Sequence, residues 1–277
     1  MTREGATVGH SIRILFTFFI AVMGMSAIAL AQDGPPSSET AEASLKDSPR
    51  HGEYVEIQLP GSDTTLYTWV VYPERPDKAP IILVIHEIFG MTDWANSVAD
   101  AFAKEGFIAL APDMISGKDK TKPATATVRA LTNDEIVERL NAVRDYGLGL
   151  PAANGKSASI GFCWGGSSSF KYAVAQPDLN AAVVCYGSSP SKEDVAKIKA
   201  PVLGLYGEND ARVNTTIPNA TEGMTADGQS FEHEIYDGAG HGFFRAQSGQ
   251  DGANGVAAKK GWTKALAFLR THTESSN

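Results

Sequence analysis

The segment PIILVIHE, residues 80–87, runs apolar without a break until its last two residues. It is too short for a helix and shows no alternation, so it reads as a strand covered on both faces. FIALAPD, residues 107–113, repeats the pattern. Between them, residues 94–105 set Val98, Ala99, Phe102 and Ala103 on one helical stripe that stops at Gly106. Thr132 with Glu135 three residues on forms a capping box ahead of a helix whose stripe is Ile136, Leu140 and Val143. SASIGFC (157–163) reads as a strand and GGSSSFKYAVAQ (165–176) as a helix of small residues that can pack close to a sheet. AAVVCYG (181–187), APVLGLYG (200–207) and FEHEIYDGAG (231–240) are three more strands, and a last helix at about 256–271 turns Trp262, Leu266 and Leu269 inward. EYVEIQL (53–59) and LYTWVVYP (66–73), joined through Pro60-Gly61-Ser62-Asp63, read as an antiparallel opening pair. Strands alternating with helices require crossover connections, hence an α/β fold with a mostly parallel sheet and helices on both faces.

The chain of 277 residues, 43% apolar and 20% charged, fits one globular domain. Its first 31 residues differ from the rest. Arg3 and Arg13 precede a charge-free apolar run, and Ala29-Leu30-Ala31 places small residues where a signal peptidase reads, before Gln32-Asp33. A signal peptide over residues 1–31 is expected, and with it an exported, periplasmic or secreted, protein; an uncleaved membrane anchor is the alternative. Residues 32–50, rich in Pro, Ser and charge, are expected to be a disordered linker. The domain then covers 51–272, with a tail at 273–277. A net charge of −8 without Lys/Arg clusters argues against nucleic acid, and after cleavage no stable membrane association is expected. A monomer is expected.

In parallel sheets reactive groups collect beyond the carboxyl ends of the strands. Glu87, Asp113, Cys163 and Asp210 all stand there. Gly161 and Gly165 bracket Cys163 as G-x-C-x-G, the glycines that a tight strand-to-helix turn needs when it lifts one side chain above a sheet. The helix N-terminus under the sulfur favours negative charge and offers free N–H groups to an oxyanion. Asp210 in YGENDARV and His241 in GAGHGFF follow in the order nucleophile, acid, histidine. Such a histidine can take the thiol proton and return it to a leaving group, while the carboxylate orients the ring. Alone, Cys163 could be a buried thiol, Asp210 a turn residue and His241 a hydrogen-bonded loop residue. Asp113 reads as a turn residue, His86 as structural, and His51, His233 and His272 as surface. No Cys/His cluster has metal-binding spacing. With only two cysteines the chain is no disulfide scaffold, although a single Cys163–Cys185 bridge stays open. NTT at Asn214 and NAT at Asn219 match a common glycosylation pattern.

HEIFGMTDWANSVADAFAKEGFIALAPD (86–113), GFCWGG (161–166), GENDARV (207–213) and AGHGFF (239–244) together resemble the dienelactone hydrolase (carboxymethylenebutenolidase) family of α/β-hydrolases, across about residues 52–271. The resemblance implies the α/β-hydrolase fold, a Cys163-His241-Asp210 triad and no cofactor. It gives Glu87 the task of holding the resting thiol, and Arg245 that of binding a substrate carboxylate. The main-chain N–H groups of Ile88 and Trp164 would form the oxyanion hole. Phe89, Trp94 and Phe243 would wall the substrate site, although each fits a core position equally well. One departure stands out: where the family carries a second substrate arginine, this chain reads PDMISGKDKTK, with Lys118 and Lys120 instead. Lysine supplies charge without the bidentate fork. The expected function is therefore hydrolysis of a lactone or small carboxylic ester, carboxylate-bearing ones included. A general esterase, or a non-catalytic thiol redox or acid-binding protein on the same fold, is the alternative.

Overall fold

A computed structural model describes residues 1–2, 34–226 and 228–274. The expected leader lies outside the described residues apart from Met1 and Thr2. The chain divides into Met1–Gln32 and Asp33–Asn277, and the fold is that of the second unit. Its strands are β1 (Gly52–Gln58), β2 (Thr65–Val71), β3 (Ala79–Ile85), β4 (Ile108–Pro112), β5 (Ala153–Phe162), β6 (Ala181–Cys185), β7 (Val202–Asn209) and β8 (Phe231–Gly240). They form one sheet in the order β1-β2-β4-β3-β5-β6-β7-β8. β1 and β2 pair antiparallel, β2 lies antiparallel to β4, and the remainder run parallel. The helices are α1 (Ala41–Lys46), α2 (Asp93–Lys104), α3 (Ala124–Ala130), α4 (Asn133–Leu148), α5 (Trp164–Ala175), α6 (Lys192–Val195), α7 (Ala211–Asn214), α8 (Ile217–Ala226) and α9 (Ala253–Thr273).

The pleat of β3 explains its unbroken apolar sequence. Ile82 and Val84 join a core with Phe102 of α2 and with Trp262 and Leu266 of α9. Ile81, Leu83 and Ile85 face the other way, toward Leu140 of α4, Phe170 of α5 and Met224 of α8. Both faces are therefore covered, as the parallel arrangement requires. Helix starts follow local chemistry: the Thr132 capping box is fully formed, and Thr92 accepts from the Ala95 N–H to open α2. The short helices α3, α6 and α7 carry too little apolar periodicity to be read from sequence.

Residues 34–50 correct the expectation of a disordered linker. Ala41 is buried on α1, which packs against α2. Trp94 Nε1 donates to the Pro36 carbonyl at 2.9 Å, and the Ser38 N–H to the Arg245 carbonyl at 2.9 Å. Gln247 Nε2 donates to the Pro35 carbonyl at 2.8 Å. Arg50 and Ser48 both bond the nearly buried carboxylate of Asp100. The Pro- and Ser-rich composition misleads because the bonds at Pro35, Pro36 and Ser38 are made by main-chain carbonyls and N–H groups, which no side-chain pattern reveals. Among the described residues no helix is long and apolar enough to cross a membrane.

Candidate active site

β5 ends at Phe162 and α5 begins at Trp164, so Cys163 alone makes the turn, with φ 57° and ψ −114°. A β-carbon residue in that left-handed region is strained, and such strain persists only where the surroundings enforce it. Here the enforcement is close packing. A Cβ on Gly161 would lie 1.9 Å from the Gly165 carbonyl oxygen, and one on Gly165 2.3 Å from the Ile85 oxygen. A Cβ on Gly166 would come within 2.5 Å of the Cys185 oxygen. The Cys163 N–H donates to that same Cys185 carbonyl at 3.0 Å. Both cysteines are free, with Cys185 fully buried, and burial pushes its thiol well up.

His241 follows β8 and reaches back over the turn. Its Nε2 lies 3.0 Å from Cys163 Sγ and its Nδ1 2.5 Å from Asp210 Oδ2. Asp210 sits just past β7, where a register shift between Gly207 and Asn209 re-aims the chain. Burial works against an imidazolium here, but the hydrogen bonds to Asp210 and to the Cys163 sulfur outweigh it and push His241 up to about 9. This arrangement can pass a proton between sulfur and imidazole while Asp210 fixes the ring.

Glu87 does not hold the thiol. Its buried carboxylate accepts from Arg245 Nε at 2.6 Å, and the Arg245 guanidinium stacks over Phe89 at 5.0 Å. A carboxylate taken out of water keeps its charge only with such a partner. Burial still pushes Glu87 up, against the opposing pull of Arg245. His86 is fully buried beside it. The Met114 N–H donates to His86 Nε2 at 3.2 Å, so the ring proton resides on Nδ1, which donates to the Glu87 carbonyl at 2.6 Å. Burial lowers the His86 pKa and keeps the ring neutral. The ring also stacks on Trp164, centroids 5.6 Å apart.

A cavity of about 510 Å³ opens over Cys163. Ile88, Trp164 and His241 line it as expected from the sequence. Arg245, Phe89 and Trp94 do not; they line a neighbouring cavity of about 420 Å³ together with Ser38, Glu39 and Glu42 of the strap. Phe243 is fully buried and packs on Tyr186, so it belongs to the core. Sequence reasoning missed Arg129, Ser167, Tyr186, Ser188 and Arg212 on the cavity wall. Tyr186 at φ 40° carried a usable signal, because it ends a buried strand at the sheet's reactive edge. Its ring meets His241 edge-on at 5.1 Å, and its buried hydroxyl lies beside the Glu87 carboxylate. Burial and the charge of Glu87 push that phenol well up.

The sequence pattern of the dienelactone hydrolase family matches residues 66–273. A protein of Methylorubrum extorquens provisionally named carboxymethylenebutenolidase is 30% identical over 223 residues, 71% of this chain and 77% of that one. One of Saccharolobus solfataricus, provisionally given the same name, is 27% identical over 255 residues, 78% and 97% respectively. Among solved structures, a provisionally named dienelactone hydrolase from Klebsiella pneumoniae superposes with a TM-score of 0.68 at 26% identity, covering 79% of this chain and 98% of that one. With the sheet order and the turn at Cys163 already in place, these likenesses lead to one conclusion: the chain belongs to the dienelactone hydrolase family of α/β-hydrolases and is a carboxylic ester hydrolase.

Proposed function

We propose that the protein opens a lactone or cleaves a small carboxylic ester with Cys163 as nucleophile. The observation that carries this reading is the unbroken run Cys163 Sγ, His241 Nε2, His241 Nδ1, Asp210 Oδ2, at 3.0 and 2.5 Å. His241, whose raised pKa favours the imidazolium, already holds the proton given up by the Cys163 thiol when sulfur attacks the carbonyl carbon. The tetrahedral oxyanion is held by the N–H groups of Ile88 and Trp164 until the carbon–oxygen bond breaks. The departing oxygen then receives the proton from His241, leaving a thioester on Cys163. Water, deprotonated by the same imidazole, attacks that thioester; the acid leaves and the thiol is restored.

His86 acts as a positioning residue for the oxyanion hole. In a trans peptide the C=O and the following N–H point in opposite directions. His86 Nδ1 and the Gly90 N–H, at 2.6 and 3.2 Å, both hold the Glu87 carbonyl on one side. The Ile88 N–H of the same peptide therefore faces the other. Glu87 and Arg245 pair the end of β3 with the loop that carries His241.

The direct test is turnover of short p-nitrophenyl esters and a dienelactone by the wild type and Cys163→Ala. The reading expects at least one member to be hydrolysed by the wild type and by the variant at a rate lower by about 10³-fold or more. Equal rates from the two proteins would overturn it.

A further inference from the structure

Eight arginines fall among the described residues. Arg50, Arg75, Arg139, Arg144, Arg245 and Arg270 each bond a carboxylate, hydroxyl or carbonyl of the protein. The other two, Arg129 and Arg212, are the ones that line the cavity over Cys163. Neither guanidinium has a hydrogen-bond or ion-pair partner among the described residues. This is no shortage of acid, since the chain carries 32 Asp and Glu against 24 Lys and Arg. Two unneutralised guanidinium groups facing one cavity make a positive pocket on an otherwise negative molecule.

Their origins in the fold place them on opposite sides of the nucleophile. Arg129 belongs to α3, which follows β4; Arg212 belongs to α7, which follows β7. In the sheet, β4 and β7 flank β5 from either side. Arg212 is two residues beyond Asp210, the partner of His241, and the group leaving the carbonyl must lie where His241 Nε2 can protonate it. Arg212 thus rises from the side of Cys163 that carries the Asp210–His241 pair, and Arg129 from the other. Arg245 is engaged by Glu87 and lines the neighbouring cavity.

We propose that the substrate carries an acidic group on each side of the bond that is cleaved, as in a small lactone or ester with two carboxylates, and that Arg129 and Arg212 select it. This rests on Cys163 being the nucleophile. The guanidinium fork matches a carboxylate with two parallel hydrogen bonds, so each arginine reads the presence of the acid as well as its charge.

Four chromogenic esters test it: 4-nitrophenyl hexanoate, 4-nitrophenyl hydrogen adipate, 3-carboxy-4-nitrophenyl hexanoate, and 3-carboxy-4-nitrophenyl hydrogen adipate. They bear no acid, an acyl-side acid, a leaving-side acid, and both. The expected kcat/KM rises about tenfold with each carboxylate, mainly through KM. Arg129→Ala should lower the ratio of acyl-acid to neutral ester by about tenfold, Arg212→Ala the ratio of leaving-acid to neutral ester, and lysine at either position should restore part of it. Hydrolysis that is fastest for the neutral ester, or ratios unmoved by either alanine, would overturn the proposal. So would a preference for a single carboxylate that both alanines abolish together. Cys163→Ala separates the two claims: if it hydrolyses the panel as well as the wild type, the nucleophile reading fails, whatever the arginines do.

Discussion

The floor and the rim of the Cys163 cavity are built in opposite ways. The floor is main chain pressed on main chain: a strained Cys163, and glycines whose Cβ would land 1.9–2.5 Å from carbonyl oxygens. The rim is two exposed arginines on short helices, α3 and α7, with no ion-pair partner among the described residues. Chemistry that needs placement within a fraction of an ångström belongs on the first kind of structure. Selection of a flexible charged group works on the second. The division implies that reaction type and substrate choice can be damaged separately.

The largest effect is expected at the floor. Gly165→Ala has no side-chain neighbour that can yield, because the clash is with the Ile85 and His86 carbonyls. It should cost about 3 kcal/mol or more of stability, seen as a fall in thermal midpoint with loss of turnover. A variant as stable and active as the wild type would break the contrast. Next, Asp210→Asn keeps the shape of the floor but offers His241 Nδ1 an amide instead of a carboxylate. About 10³–10⁴-fold should be lost in kcat, with the fold unchanged by circular dichroism.

The His241 titration sharpens the same point. Its pKa is raised above the ordinary 6.5 to about 9. The stability it contributes is therefore complete below about pH 6.5 and disappears as pH rises through 9. An NMR titration should place the His241 midpoint near 9 in the wild type and clearly lower in Cys163→Ala, where the sulfur partner is gone. Coincident midpoints would remove the sulfur from the account.

A smaller effect is expected from His86, which supports the floor from beneath. His86→Leu should lower kcat about 10–100-fold with KM little changed, because only the transition state uses the Ile88 N–H. Gln, which can both donate and accept, should recover much of it. A loss confined to KM or to thermal stability would make His86 structural only. Smallest of all, Arg129→Ala and Arg212→Ala should leave unfolding free energy within about 0.5 kcal/mol of the wild type, read from thermal midpoints, since neither guanidinium has a partner to lose among the described residues.

The same division explains what could be read from the sequence. The floor was legible because each part has a sequence signature: unbroken apolar runs for β3 and β4, the G-x-C-x-G turn, and Asp210 and His241 at later strand ends. The partner of Glu87 was not, because burial and the position of Arg245 decide between thiol and guanidinium, and neither follows from spacing. Trp94 and Phe243 read from the sequence equally well as substrate-site walls and as core, and the structure places both in the core. Nothing in the sequence sets Arg129 and Arg212 apart from ordinary helix charges; what distinguishes them is a three-dimensional fact, the lack of a hydrogen-bond or ion-pair partner among the described residues. The strap at 34–50 escaped because Pro36 and Ser38 act through backbone atoms.

The central claim is that Cys163 carries the acyl group. Rapid acid quench of the enzyme during turnover of a 4-nitrophenyl ester, followed by intact-mass measurement and peptide mapping, tests it directly. The account predicts a mass increase equal to the acyl group, confined to the peptide containing Cys163 and absent in Cys163→Ala. Acyl label on another residue, with Cys163 unmodified while product accumulates, would contradict it.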